Sequence, residues 1–114
     1  MIQILHNPRC AKSRQGLAIL EASGKPFEVI KYLENIPTKN DLKSILEKLG
    51  ITPMELIRTN EAIWKSDFKG KSLSNDQLID IMLEYPKLIE RPIVINGDKA
   101  VIGRPPEQIL DIIT

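Results

Sequence analysis

The chain has 114 residues, a formal net charge of +1, 42% hydrophobic and 27% charged residues, the profile of one ordinary globular domain in which two would be crowded. One cysteine, Cys10, and one histidine, His6, exclude an internal disulfide and leave structural zinc without a ligand set. Acidic and basic residues are interspersed, which argues against nucleic acid as a partner, and no signal sequence or apolar run of membrane-spanning length stands in the chain, so the expected setting is the reducing cytoplasm, away from any membrane.

The eight prolines fall between periodic segments or at helix starts and mark the element boundaries. Ile2 to Leu5 reads as a strand before Asn7-Pro8, and residues 11–22, with Leu17, Ala18 and Leu20 apolar, read as a helix stopped by Gly24 and Pro26. Residues 27–32 mix β-branched and aromatic side chains and suggest a second strand, hence a β-α-β unit with parallel strands. Thr38, with Asp41 three residues later, opens a helix whose Leu42, Ile45, Leu46 and Leu49 recur at helical spacing before Gly50. Thr52-Pro53-Met54-Glu55 has the form of a capping box and leads a short helix that runs out near Arg58.

Ser74-Asn75-Asp76-Gln77 repeats the device ahead of Leu78, Ile79, Met82 and Leu83, which stop at Tyr85-Pro86; the stretch around Lys69-Gly70-Lys71 reads as loop. Ile93-Val94-Ile95 and Lys99-Ala100-Val101-Ile102 flank Asn96-Gly97, where Asn-Gly would supply the positive φ angles of a tight primed turn. Arg104-Pro105-Pro106 introduces a last helix carrying Ile109, Leu110, Ile112 and Ile113. The order β-α-β, helices, β-β-α is that of an α/β, thioredoxin-like mixed sheet: a single domain over residues 1–114 with a helical insertion at about residues 34–90.

Cys10 falls in the loop between the first strand and the first helix, within His6-Asn7-Pro8-Arg9-Cys10-Ala11-Lys12-Ser13-Arg14. A helix N-terminus favours an anion, and a thiolate is one. A free cysteine, with a pKa of about 8.5, is only a few per cent ionised at neutral pH, and lowering that value by about two units takes about 2.7 kcal/mol of differential stabilisation. The helix start with Arg9, Lys12 or Arg14 can supply it. A lone cysteine is often only a small buried hydrophobe, but polar flanks and a proline argue against burial here. Arg14 follows too soon for the Cys-x5-Arg loop of phosphatases, and Ser13 stands where a dithiol oxidoreductase keeps its second cysteine. Any disulfide of Cys10 must therefore join another molecule.

Arg58, Arg91 and Arg104 each sit at an element end, where sites are built. Taken singly each reads as an ordinary surface arginine, and only the fold can bring them together. Arg91-Pro92 is a candidate cis peptide. An isolated His6 is more often a structural hydrogen bonder than a tuner of the thiol, and Ser13 fits a helix-start hydrogen bond as well as a catalytic role. Trp64, Phe68, Met54 and Met82 are assigned to packing.

His6-Asn7-Pro8-Arg9-Cys10 with Ser13-Arg14, Tyr32-Leu33-Glu34-Asn35, Leu56-Ile57-Arg58-Thr59-Asn60-Glu61, Arg91-Pro92-Ile93-Val94 and Gly103-Arg104-Pro105 occur in this order along the chain. The pattern resembles the glutaredoxin-linked arsenate reductase family over essentially the whole length. The resemblance implies Cys10 as nucleophile, His6 influencing its ionisation, and Arg58, Arg91 and Arg104 gathered round an arsenate oxyanion, with Ser13 in support and Pro92 as the cis-proline facing the thiol. It implies no bound cofactor or metal, glutathione as co-substrate, and glutaredoxin as the partner that regenerates Cys10. Two other readings keep the same fold: a thiol reductase acting on glutathione conjugates or mixed disulfides, and a transcription-associated binding protein, for which Ser13 removes the internal disulfide switch.

Overall fold

The computed structural model describes residues 1–114. They divide into two compact units, one of Met1–Ile36 with Arg91–Thr114, the other of Pro37–Glu90.

In the first unit, strand β1 (Ile2–Leu5), helix α1 (Ala11–Ser23) and strand β2 (Phe27–Ile30) form the β-α-β motif. β1 and β2 run parallel, with Ile2 opposite Phe27 and Leu5 opposite Ile30. Strands β3 (Ile93–Asn96) and β4 (Lys99–Ile102) complete a four-stranded sheet in the order β2-β1-β3-β4, with β3 antiparallel to β1 and β4 antiparallel to β3. This is the thioredoxin-like mixed sheet that the element order implies.

The apolar central strands β1 and β3 are almost wholly buried, while the mixed sequences of β2 and β4 form the more exposed edges. Ile2, Ile4 and Val94 of the sheet pack with Leu20 of α1 and with Ile109 and Ile113 to make the core. Burying each such side chain contributes about 1.5–3 kcal/mol. Gly24 closes α1 in the left-handed region at φ 71°.

Two details of this unit differ from the sequence reading. In the hairpin, Asn96 pairs with Lys99, so the central residues of the turn are Gly97 and Asp98. Gly97 has φ 66° and no non-glycine residue of the chain has positive φ. The turn therefore follows the pattern with glycine at its first central position, not one with both central residues at positive φ. The last helix is split: Pro106–Ile109 form a 3₁₀ turn and Leu110–Ile113 one turn of α-helix, α6. Pro105 and Pro106 lack N–H groups, and the Gln108 N–H closes a tight bond on the Pro105 carbonyl at 3.1 Å. The Asn96 side-chain amide donates to the Ile112 carbonyl at 2.7 Å and ties this segment to the hairpin.

The second unit is helical. Helix α2 (Lys39–Leu49) and helix α5 (Asn75–Glu84) bury Leu42, Ile45 and Leu46 and Leu78, Ile79, Ile81 and Met82 respectively. Reciprocal capping boxes open both, Thr38 with Asp41 and Ser74 with Gln77. Helix α3 (Pro53–Leu56) has no such box: the Thr52 hydroxyl donates to the Glu55 carboxylate at 3.2 Å and caps no backbone N–H, so that expectation is corrected.

Helix α4 (Ala62–Asp67) had no sequence signal. Its N-cap, Glu61, makes no capping bond, and the helix is held by an aromatic row in which Trp64 and Phe68, and Phe68 and Tyr85, have ring centroids 5.8 Å apart. No helix of the chain is long and apolar enough to cross a membrane.

The capping geometry sets an order of stability effects. Thr38→Ala and Ser74→Ala should each cost about 1 kcal/mol, and Thr52→Ala measurably less, because only the first two remove a bond to a helix N–H. Urea unfolding of the three variants measures the difference; equal losses would contradict the capping assignment.

Candidate active site

The sheet register brings three loops to one edge. Leu5, the last residue of β1, pairs with Ile93, the first of β3, and Ile93 pairs with Ile102, the last of β4. The chain leaving β1 toward Cys10, the chain entering β3 from Arg91 and the chain leaving β4 toward Arg104 therefore share one end of the sheet.

A web of hydrogen bonds shapes the first of these loops. The His6 N–H extends the β1–β2 ladder to the Ile30 carbonyl at 2.9 Å. The Asn7 side-chain oxygen accepts from the Arg9 N–H at 3.0 Å, and the Cys10 N–H donates to the Asn7 carbonyl at 3.0 Å, so the loop turns within four residues. The Ser13 hydroxyl, wholly buried, accepts from the Asn7 N–H at 3.0 Å and lies 2.6 Å from Nδ1 of the buried His6. Ser13 Oγ and His6 Nδ1 share one proton in this bond, and the ring tautomer sets which of them donates. The Arg14 guanidinium closes the loop on the Pro8 carbonyl at 3.0 Å.

Cys10 is the N-cap residue of α1, in extended conformation and half-buried. Its side chain makes no capping hydrogen bond, yet the first-turn N–H groups of Ser13 and Lys12 favour its charged form. Burial pushes the thiol up; the Ser13 N–H, the Arg91 guanidinium by hydrogen bond and by charge, and the Lys12 N–H outweigh it and hold the thiol below its ordinary value. Arg104 divides its guanidinium: Nε donates to the Arg91 carbonyl at 2.8 Å, and Nη2 points to Cys10 Sγ at 3.5 Å. Burial, with the positive charges of Lys31 and Arg14, lowers His6 against the opposing effect of Ser13, so its ring is neutral at neutral pH.

Cys10, His6, Ser13, Arg91, Pro92 and Arg104 thus belong to the sheet unit. Arg91 is buried, and the Arg91–Pro92 peptide is cis. So is Arg104–Pro105, which the sequence reading left unmarked although the dipeptide is the same. Arg58 belongs to the helical unit. Its N–H donates to the Leu88 carbonyl at 2.7 Å while the Glu90 N–H donates to the Leu56 carbonyl at 2.9 Å. This bridge sets the Arg58 guanidinium among carboxylates, with Nε 3.8 Å from Glu61 and Nη1 3.7 Å from Glu90.

Asn7 joins these residues as the one that shapes the loop, and its sequence signal is an Asn-Pro turn just before a helix start. Side chains of His, Cys, Asp and Glu form no cluster of three or more that could hold a metal ion.

Residues 5–112 match the sequence profile of the ArsC family. The chain is 46% identical to a protein named arsenate reductase from Haemophilus influenzae, over 96% of this chain and 97% of that one. It is 45% identical to the uncharacterized protein YfgD of Escherichia coli, over 98% and 96%. Among solved structures, an arsenate reductase from Vibrio cholerae superposes with a TM-score of 0.94 at 46% identity, covering 98% of this chain and 97% of that one.

Two expectations follow from the electrostatics. Arg91→Lys keeps a charge but loses the planar fork, so the thiolate absorbance midpoint of Cys10 should rise, and rise further in Arg91→Gln; unchanged midpoints would remove Arg91 from the thiol's environment. His6, lowered in the folded state, takes its proton first in the unfolded chain. Its contribution to stability is complete above about pH 6.5 and is lost as pH falls through the folded value. In a Cys10→Ser background, the melting temperature should hold near pH 7 and fall toward about pH 5, and His6→Gln should flatten that fall.

Proposed function

This chain belongs to the ArsC family, and we propose that it is an arsenate reductase using Cys10 as its single nucleophile, with glutathione and glutaredoxin as electron donors. The observation that carries the reading is the Cys10 sulfur held over the start of α1 with the Arg104 guanidinium 3.5 Å away and Arg91 hydrogen-bonded to it.

A thiolate and an oxyanion repel each other. Planar guanidinium groups offset the repulsion and offer paired donors to the oxygens of a tetrahedral anion. The Cys10 thiolate attacks arsenic, forming the S–As bond as an As–O bond breaks, and the departing oxygen leaves as water after taking up protons. Arsenic stays in its higher oxidation state at this step. Glutathione supplies the second thiol: as the Cys10–glutathione disulfide forms, the two sulfurs give up one electron pair and arsenic leaves as arsenite. Glutaredoxin then takes the glutathione by thiol–disulfide exchange and returns Cys10 to its reduced form. His6 and Ser13 hold the loop that presents the sulfur, Pro92 backs it, and Arg58 is proposed as a third ligand of the oxyanion.

The electron donor follows from the cysteine count. Reducing arsenate takes two electrons, and this chain offers one thiol. Arsenite formation measured with each donor system separately should therefore appear with glutathione and glutaredoxin and not with thioredoxin alone. Cys10→Ser should abolish it while the fold persists. Equal rates with thioredoxin and no glutathione would overturn the single-thiol route. No arsenite with either donor, but exchange with glutathione mixed disulfides, would move the reading to the thiol reductase.

A further inference from the structure

We infer that Gly103 is a positioning residue for Arg104: its lack of a side chain lets the chain leaving β4 close on Pro92, and that approach sets the Arg104 guanidinium between the Arg91 carbonyl and the Cys10 sulfur. Its meaning for catalysis rests on the oxyanion site proposed above; its geometry does not.

Gly103 lies one residue beyond β4 and is buried. Its N–H donates to the Pro92 carbonyl at 2.8 Å, and the next N–H, that of Arg104, folds back onto the Ile102 carbonyl at 2.8 Å. The result is a three-residue turn centred on Gly103, hooked to the residue that follows Arg91. From this turn Arg104 reaches the Arg91 carbonyl with Nε at 2.8 Å and the sulfur with Nη2 at 3.5 Å.

Conformation does not require a glycine here, because Gly103 is not among the positive-φ glycines Gly24, Gly50, Gly70 and Gly97. Space does. A Cβ on Gly103 would stand 2.8 Å from Pro92 Cγ, 3.1 Å from Ile109 Cδ1 and 3.4 Å from Ile109 Cγ1. Pro92 has little room to retreat, since on the side of α1 a Cβ at Gly16 would also stand 2.8 Å from the same Cγ and 3.0 Å from the same Ile109 Cδ1. The proline ring and the isoleucine methyl fill the gap between two buried glycines. An alanine in place of Gly103 must displace either Pro92, carrying the Arg91 carbonyl with it, or the turn that aims Arg104. Both displacements act on the bond between Arg104 Nε and that carbonyl.

The test is a mutant cycle read on the sulfur. In Gly103→Ala, the thiolate absorbance midpoint of Cys10 should rise by about half a unit or more, and the sulfate concentration that half-protects Cys10 from iodoacetamide should rise about tenfold. Arg104→Gln should produce shifts of the same sign, and adding Gly103→Ala to Arg104→Gln should add little. Ile109→Val removes the methyl that crowds position 103, so Gly103→Ala/Ile109→Val should recover part of both shifts; it also serves as the test protein if Gly103→Ala fails to fold. Wild-type midpoint and protection in folded Gly103→Ala, or an equal effect with and without Arg104, would overturn the inference. A wild-type protein that sulfate does not protect would count against the oxyanion reading alone, leaving the midpoint to decide the role of Gly103.

Discussion

Favouring the charged form of one sulfur at a half-buried position is the constraint that organises the sheet unit. Burial opposes the thiolate, and the first-turn N–H groups of Ser13 and Lys12 together with the Arg91 guanidinium outweigh it. The helix contribution is available only because Cys10 sits at the N-cap, where the first N–H groups of a helix lack intrahelical partners. That placement depends in turn on Ser13, whose buried hydroxyl ties the Asn7 N–H and the His6 ring into one knot under the loop. A serine in the position of a second thiol thus has a structural use that a cysteine would meet poorly, since sulfur is a weak hydrogen-bond partner.

The cationic side of the site is built by division of labour within one guanidinium. Arg104 uses Nε to fix itself on a backbone carbonyl and directs Nη2 at the sulfur. A lysine could satisfy one of these contacts and not both. The carbonyl it uses belongs to Arg91, so the two arginines are fixed relative to each other by a bond that does not consume the donors facing the thiol. Arg58 is held differently, by Glu61 and Glu90 at ion-pair distances, which balances its charge locally.

Local signals made much of this legible. Thr38 and Ser74, each followed three residues on by a group that bonds back, announced α2 and α5, and short runs rich in apolar and β-branched residues, with the Asn96-Gly97 turn signal, announced the strands. Cys10 could be placed at a helix start because a strand, a turn and a periodic segment follow one another within a few residues. Failures came where tertiary contact replaced local chemistry. α4 rests on Trp64, Phe68 and Tyr85, one residue within the helix and two at the C-caps of α4 and α5. The Thr52 motif matched a capping box in letters, while the hydroxyl found the Glu55 carboxylate instead of a backbone N–H. In the hairpin, the pairing of Asn96 with Lys99 moved the turn one residue along.

The arginines were a different problem, because nothing local to Arg91 or Arg104 points at Cys10, more than eighty residues away in sequence. What brings them together is strand order and direction. With β1 beside β3 and β3 antiparallel to both its neighbours, the end of β1, the start of β3 and the end of β4 must lie at one edge. A parallel β3 would have sent the Arg91 loop to the opposite edge. Once the element order is read as a thioredoxin-like sheet, the convergence of Cys10, Arg91 and Arg104 follows from topology. The side-chain geometry that makes them a site then depends on close approaches such as that of Gly103 to Pro92, which no local pattern in the chain encodes.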